Sequence, residues 1–319
     1  MQIKRSLEFF PIQLFAVVMG LSGFVIAMAK AYHLIDMPYG IYEGLLFIDT
    51  TLFFVIFIAY MIKLLVYTNA VKKEFYHPIK SAFVATISIS ILLLSIAYYD
   101  YAPTISILFW YIGTPLQIVF TFVVLRYWIV NKFEVVHSNP AWFIPIVGNL
   151  LVPVVGVDAA PIYVSLFFFS IGLFFWFVLF TMMMYRIIFH HPLAKKLVPT
   201  FFIFIAPPAV AFISYFRITN GSIDMFSLFL YSVALFTLIL LLLMIKMYDT
   251  KEFFISWWAY TFPLAAITIA TLLMYMTYHS GLLYLVSLLL IILTTIVIGF
   301  VSIKTIQECI SEKICIEEE

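Results

Sequence analysis

Charge is what this sequence has least of. Only 10% of its 319 residues are Asp, Glu, Lys or Arg, against about 25% in a typical soluble protein. Hydrophobic residues make up 65% of the chain, where about 45–50% is usual. No water-soluble fold of this length hides so much apolar side chain, so lipid must be the solvent and the chain is a polytopic membrane protein. Cysteine is nearly absent as well. Cys309 and Cys315 lie in the charged C-terminal tail with no His beside them, which argues against a disulfide framework and against a zinc site. A net charge of +1 points to no nucleic-acid partner.

Long uncharged runs, by contrast, fill the sequence. A helix needs about 20 apolar residues to cross the hydrocarbon core. Ten stretches qualify, at roughly 9–31, 43–67, 78–98, 103–130, 139–157, 161–189, 197–217, 224–247, 256–278 and 281–303. The first follows Lys4 and Arg5 as a secretory leader would, but its apolar run is too long for one and Lys30 stands where cleavage would fall. It reads as a retained span. Short connections leave no room for a soluble domain, so residues 1–319 are expected to form a single ten-helix transmembrane domain. With the N-terminus inside, 15 of the 17 Lys and Arg residues fall on one side and only Lys30 and Arg217 on the other. Basic loops stay cytoplasmic. Both termini are therefore expected in the cytoplasm of a multi-pass plasma-membrane protein, with Glu317-Glu318-Glu319 as a solvated end.

The ten spans are not equivalent. Proline punctuates the odd-numbered ones: Pro11, Pro78, Pro140, Pro145, Pro153, Pro199, Pro207, Pro208 and Pro263. An interior proline removes a hydrogen bond and bends the helix, which lipid penalises unless neighbours or a water-filled cavity compensate. The same spans carry small residues at helical spacing. Ala16, Gly20, Gly23 and Ala27 share one face of the first, and Ser81, Ala85, Ser88 and Ser95 one face of the third. Gly148 and Gly156 mark the fifth, Thr200, Phe204, Pro207, Ala211 and Ser214 the seventh, and Ala259, Phe262, Ala266 and Ala270 the ninth. Such a stripe can simply let two helices approach. Five of them on alternating helices predict an all-α membrane protein of five helical hairpins, odd helices around a central pore and even helices facing lipid.

The middles of the spans lack ionisable groups almost completely. Asp49 and Lys80 lie within the first two turns of their helices, and Arg126, Arg186 and Lys246 lie at ends from which they can snorkel. A pump or proton-coupled carrier carries such groups deep in the membrane. The histidines also sit at the faces: His77, His137, His190 and His191 at one, His33 and His279 at the other. That placement disfavours haem ligation and a mid-span catalytic base, so no cofactor, no metal and no enzymatic activity are expected. A polar but uncharged lining offers only partial charges, and backbone N–H dipoles at helix breaks favour anions. Basic residues at the cytoplasmic mouth would concentrate them. The residues thus favour an anion over a cation or a neutral solute.

Four stretches carry a resemblance: "FFPIQLFAVVMGLSGFVIA" (9–27), "NPAWFIPIVGNLLVPVVG" (139–156), "HHPLAKKLVPTFFIFIAPPAVAF" (190–212) and "SWWAYTFPLAA" (256–266). The chain resembles, over essentially its whole length, the tellurite-resistance/dicarboxylate transporter family, which includes bacterial TehA, plant slow-type anion channels and fungal malate permeases. The resemblance implies one pore per protomer, a homotrimer, and a phenylalanine of the ninth helix, here Phe262, plugging the pore beside Pro263. Pore-lining or helix-bending roles are expected for Ala16, Gly20, Gly23, Ser81, Ala85, Ser88, Pro145, Gly148, Phe204, Pro207, Ala211, Ala259 and Ala266. It implies small anions as substrates, chloride, nitrate or a dicarboxylate, moved either through a phenylalanine-gated channel or by a coupled C4-dicarboxylate (malate) carrier. The termini are short beside the long phosphorylated ones of the plant channels, which counts against regulation by tail phosphorylation.

Overall fold

A computed structural model describes residues 7–35, 38–248 and 252–316. Lys4, Arg5 and Lys251 of the charge count, and the Glu317–Glu319 tail, lie outside the described residues. Ten helices are long and apolar enough to cross a membrane: Ile12–Tyr32, Tyr39–Val66, Lys80–Ala97, Pro103–Val130, Pro140–Ala159, Ile162–Phe189, Lys195–Ile218, Met225–Leu243, Ile255–Tyr278 and Gly281–Ile310. They coincide with the ten hydropathic stretches, although the tenth continues to Ile310. A short helix not foreseen from hydropathy, Thr68–Phe75, follows the second span; it buries Val71 and Glu74 and exposes Lys72 and Lys73.

Burial alternates along the chain. In the odd-numbered spans 72–94% of the most apolar stretch is buried, and in the even-numbered ones 28–39%. The odd spans touch in the cyclic order first, third, fifth, seventh, ninth, first, closing a ring. Each even span lies behind this ring, in the groove between its preceding odd span and the next, and the tenth closes back onto the first. Phe47, Phe174, Phe236 and Leu285 on the even spans are largely exposed, as lipid-facing residues are.

All five inner spans begin as 3₁₀ helix and then become α-helical. The 3₁₀ stretches are Ile12–Leu14, Lys80–Ala85, Pro140–Phe143, Lys195–Ile205 and Ile255–Tyr260. Three junctions are marked by proline, at Pro145, Pro207-Pro208 and Pro263, which cannot donate to an i−4 carbonyl. Threonine hydroxyls bond carbonyls within three of the 3₁₀ stretches. Thr86 and Thr261, each the first residue of its α-helical part, donate to the i−3 carbonyls of Phe83 and Trp258 at 2.5 and 2.7 Å. Thr200 does the same to Leu197 at 2.5 Å. In 3₁₀ geometry residues i and i−3 eclipse, so these bonds favour the tighter winding.

Candidate functional site

Two narrow cavities follow one another through the ring. The first, about 40 Å³, lies toward the ends where the odd spans begin and is lined from all five: Ala16, Phe83, Val147, Thr200 and Ala259 are one contribution from each. The second, about 30 Å³, is again lined from all five, by Gly23, Leu93, Leu151, Val210 and Ala266 among others. Phe262 lines both. Its ring is 7% exposed and sits at the start of the α-helical part of the ninth span, between Thr261 and Pro263.

Glycines of the first span make room for this turn. A Cβ on Gly23 would stand 3.2 Å from Cδ2 of Phe262 and 3.0 Å from Cβ of Ala265. On Gly20 it would stand 2.1 Å from the Thr261 hydroxyl oxygen and 2.9 Å from the Trp258 ring. The first and ninth spans therefore approach closely on both sides of Phe262. One face of the first span is also anchored outward: the Ser22 hydroxyl donates to Oδ2 of Asp49 on the second span at 2.5 Å, with both residues fully buried.

The expected residues divide into two groups. Ala16, Gly23, Ala259, Phe262, Pro263 and Ala266 line the cavities. Gly20, Ser81, Ala85, Ser88, Pro145, Gly148, Phe204, Pro207 and Ala211 are in neither lining. Several of these are committed to neighbouring helices. Ser88 donates to Oε1 of Gln117 on the fourth span at 2.8 Å. Nε2 of Gln117 donates to the Pro145 carbonyl at 2.8 Å, and Nδ2 of Asn149 donates to the same carbonyl at 3.0 Å. Gly148 leaves the space that the Gln117 amide fills, since a Cβ there would lie 2.3 Å from Oε1. Phe204 packs edge-on against Phe143 and Phe180, at 5.3 and 5.7 Å between ring centroids.

The lining is also more apolar than expected. Thr200 and Ser256 carry the only side-chain hydroxyls in it, and both are in the first cavity. Met19, Ile89, Ile144 and Ile203, which no small-residue stripe could reveal, supply much of the wall. The physical reason is that the polar groups of the inner spans turn outward to hydrogen-bond the even spans or satisfy helix carbonyls locally, so little polarity is left for the axis. Among the described residues, no carboxylate and no cation lines either cavity.

The two ends of the bundle differ in charge. Where the odd spans end, Lys30 pairs with Asp100 at 3.1 Å. Arg217 pairs with Asp158, donates from Nε to the Val154 carbonyl at 2.9 Å and lies over the Tyr99 ring at 4.9 Å. Both cations expected at that end are thus matched by carboxylates. The opposite end gathers the other described basic residues, with one pair deeply buried: Lys63 and Glu74 at 2.8 Å, their side chains 2% and 8% exposed. Among the described residues, no three His, Cys, Asp or Glu side chains cluster closely enough to hold a metal ion.

The sequence comparisons agree with this architecture. The family model described as voltage-dependent anion channel matches residues 9–306. The chain belongs to the voltage-dependent anion channel family. It is 29% identical to the S-type anion channel SLAH3 of Arabidopsis thaliana, across 93% of this chain and 48% of that protein. Identity to the guard cell S-type anion channel SLAC1 of the same plant is 26%, across 82% of this chain and 49% of that protein. A tellurite resistance protein TehA homolog of Haemophilus influenzae is 24% identical across 93% of this chain and 90% of its own length. The chain therefore spans about half the length of the plant relatives it matches most extensively. The family is described as one of anion channels, not of enzymes.

Proposed function

We propose that the chain conducts small anions through a pore along the axis of its inner five helices, with the ring of Phe262 closing it. The observation that carries this reading is that Phe262 alone borders both axial cavities, each of which all five inner spans line. A narrow apolar passage closed by a ring blocks ions by excluding water, with no gating charge to move. Anion preference follows from the ends. The basic end, assigned to the cytoplasm because basic loops are retained there, raises the local anion concentration, and no carboxylate along the lining opposes entry. The relatives named as anion channels support the same substrate class. Chloride and nitrate suit a lining without fixed charge better than malate does, because a coupled dicarboxylate carrier would be served by a cation at its site. Each chain holds its own pair of cavities, so the reading asks nothing of the homotrimer that the resemblance implies. The plasma membrane is the location that fits a basic end held inside.

The test is anion flux into proteoliposomes with chloride, nitrate and malate, with and without a proton gradient. Phe262→Ala should raise chloride and nitrate flux about tenfold or more, the effect of removing ~1.4 kcal/mol of barrier. That flux should follow the electrical potential and ignore the proton gradient. A variant no faster than wild type, with malate moving only down a proton gradient, would make Phe262 a packing residue and the protein a carrier.

A further inference from the structure

A second open space lies outside the ring, at the basic end. It is lined by the last turns of the second and fourth spans and by the short helix Thr68–Phe75. The groove between them has a volume of about 610 Å³. Its floor is apolar, with Leu64 and Val123 both exposed. Its rim carries two cations, Lys72 from the short helix and Arg126 from the fourth span, and among the described residues no carboxylate lines it. Both cations are exposed, and neither makes an ion pair with a described residue. The wall is held in place by Tyr127, whose hydroxyl donates to the Tyr76 carbonyl at 2.5 Å while the two rings meet edge-on at 5.8 Å.

We infer that this groove is a binding site for an anionic phospholipid. Its phosphate would sit between Lys72 and Arg126, and an acyl chain would lie along Leu64 and Val123, which precede the two cations along the chain toward that end. Two features favour this occupant. Level with the ends of two membrane-crossing helices, apolar floor and cationic rim follow the order of tail and headgroup in a leaflet, with tyrosines at the boundary where they concentrate. Basic pockets between helices at this depth recognise negative headgroups. A second groove at this end, between the connection that follows the fourth span, the start of the fifth and the sixth span, supplies an internal contrast. It is comparable in size, about 750 Å³, and similarly apolar, with Phe133, Val178 and Met182, yet it carries Glu134 and no cation. Neutral lipid suits that groove; an excess of positive charge distinguishes the first.

Native mass spectrometry of the purified full chain in a neutral detergent tests this. Phosphatidylglycerol and phosphatidylcholine of identical acyl chains are titrated separately. One phosphatidylglycerol per chain should be retained at a lipid concentration about tenfold below that needed for phosphatidylcholine. Lys72→Gln/Arg126→Gln should abolish the preference, and the charge-keeping swap Lys72→Arg/Arg126→Lys should preserve it. Lys195→Gln/Lys196→Gln, which removes two exposed lysines at the same end of the bundle, should leave it intact. Loss of the preference in both Gln pairs would mean diffuse attraction rather than a site, and would overturn the proposal. So would a preference that survives in Lys72→Gln/Arg126→Gln. Cross-linking of Val123→Cys between two chains would also overturn it, because a second copy would then fill the groove.

Discussion

Neutralising one member of the buried pair at the basic end should cost more than neutralising both. The Lys63 ammonium donates to Oε1 of Glu74 and to the Phe10 carbonyl, both at 2.8 Å, and the Tyr60 hydroxyl donates to Oε2 of Glu74 at 2.9 Å. Phe10 lies just before the first span, so these bonds tie that span's start to the second span and the short helix. In Glu74→Leu the ammonium stays buried with one neutral acceptor, and the expected loss is about 3–5 kcal/mol. Lys63→Met strands the carboxylate with the single hydroxyl of Tyr60, for a loss of the same order. The double variant removes both charges and leaves only the Tyr60 hydroxyl and the Phe10 carbonyl short of partners, costing about 1–3 kcal/mol each at most. Against that stands a gain of about 1–4 kcal/mol from replacing a buried pair by packed apolar groups. On central values its net loss should therefore be about 1–2 kcal/mol, smaller than that of either single variant. Thermal unfolding in detergent, followed by tryptophan fluorescence and by the fraction eluting as a discrete species after heating, gives the order of the four proteins. Losses that simply add in the double variant, or single losses below about 1 kcal/mol as at a solvated surface pair, would refute the reasoning.

Three further substitutions, one of them a control, test the packing between inner and outer helices and the cap of the eighth span. Gly148→Ala forces a Cβ to within 2.4 Å of three atoms of the Gln117 amide, which its bonds to Ser88 and Pro145 hold in place, so a loss of about 1–3 kcal/mol is expected. Gly44→Ala, where nothing lies within 4 Å, should unfold no earlier than wild type in the same assay. Asp224 caps the eighth span: Oδ1 accepts from the Ser227 backbone N–H at 2.9 Å and Oδ2 from the Tyr215 hydroxyl at 2.7 Å. These bonds hold its carboxyl below the usual carboxylate range, the Ser227 N–H contributing most. A lowered value stabilises the fold above the ordinary pKa and is lost as pH falls through the lowered one. The stability gap between wild type and Asp224→Ala, measured across a pH series, should stay constant from neutral pH down to about 5 and shrink below about 4. A gap that widens on acidification would contradict this.

The inner ring was legible because lipid and protein select different residues. Proline and small side chains collect where neighbouring helices can compensate for them, as at Pro207-Pro208 and Gly20, while Phe47 or Leu285 can sit on any lipid-facing surface. What a stripe cannot state is which neighbour it serves. Gly23 and Gly148 look alike along the chain, yet one clears space beside Phe262 and the other admits the amide of Gln117. The polar residue inside the fourth span was the available signal for the second case, since an amide in lipid must find partners within the protein. The 3₁₀ starts were hidden for a different reason. A helix buried all round has no amphipathic contrast, so a change from 3.6 to 3.0 residues per turn leaves no mark in hydropathy. The Lys63–Glu74 pair was hidden by the break at Tyr67 between its two helices; a lysine at a helix end ordinarily snorkels, and only the fold puts a carboxylate beside it. Packing inside the ring then accounts for the narrow axis. Most hydroxyls of the inner helices bond carbonyls or outer neighbours, so the surfaces left to meet at the centre are largely apolar, and the Phe262 ring borders both cavities there.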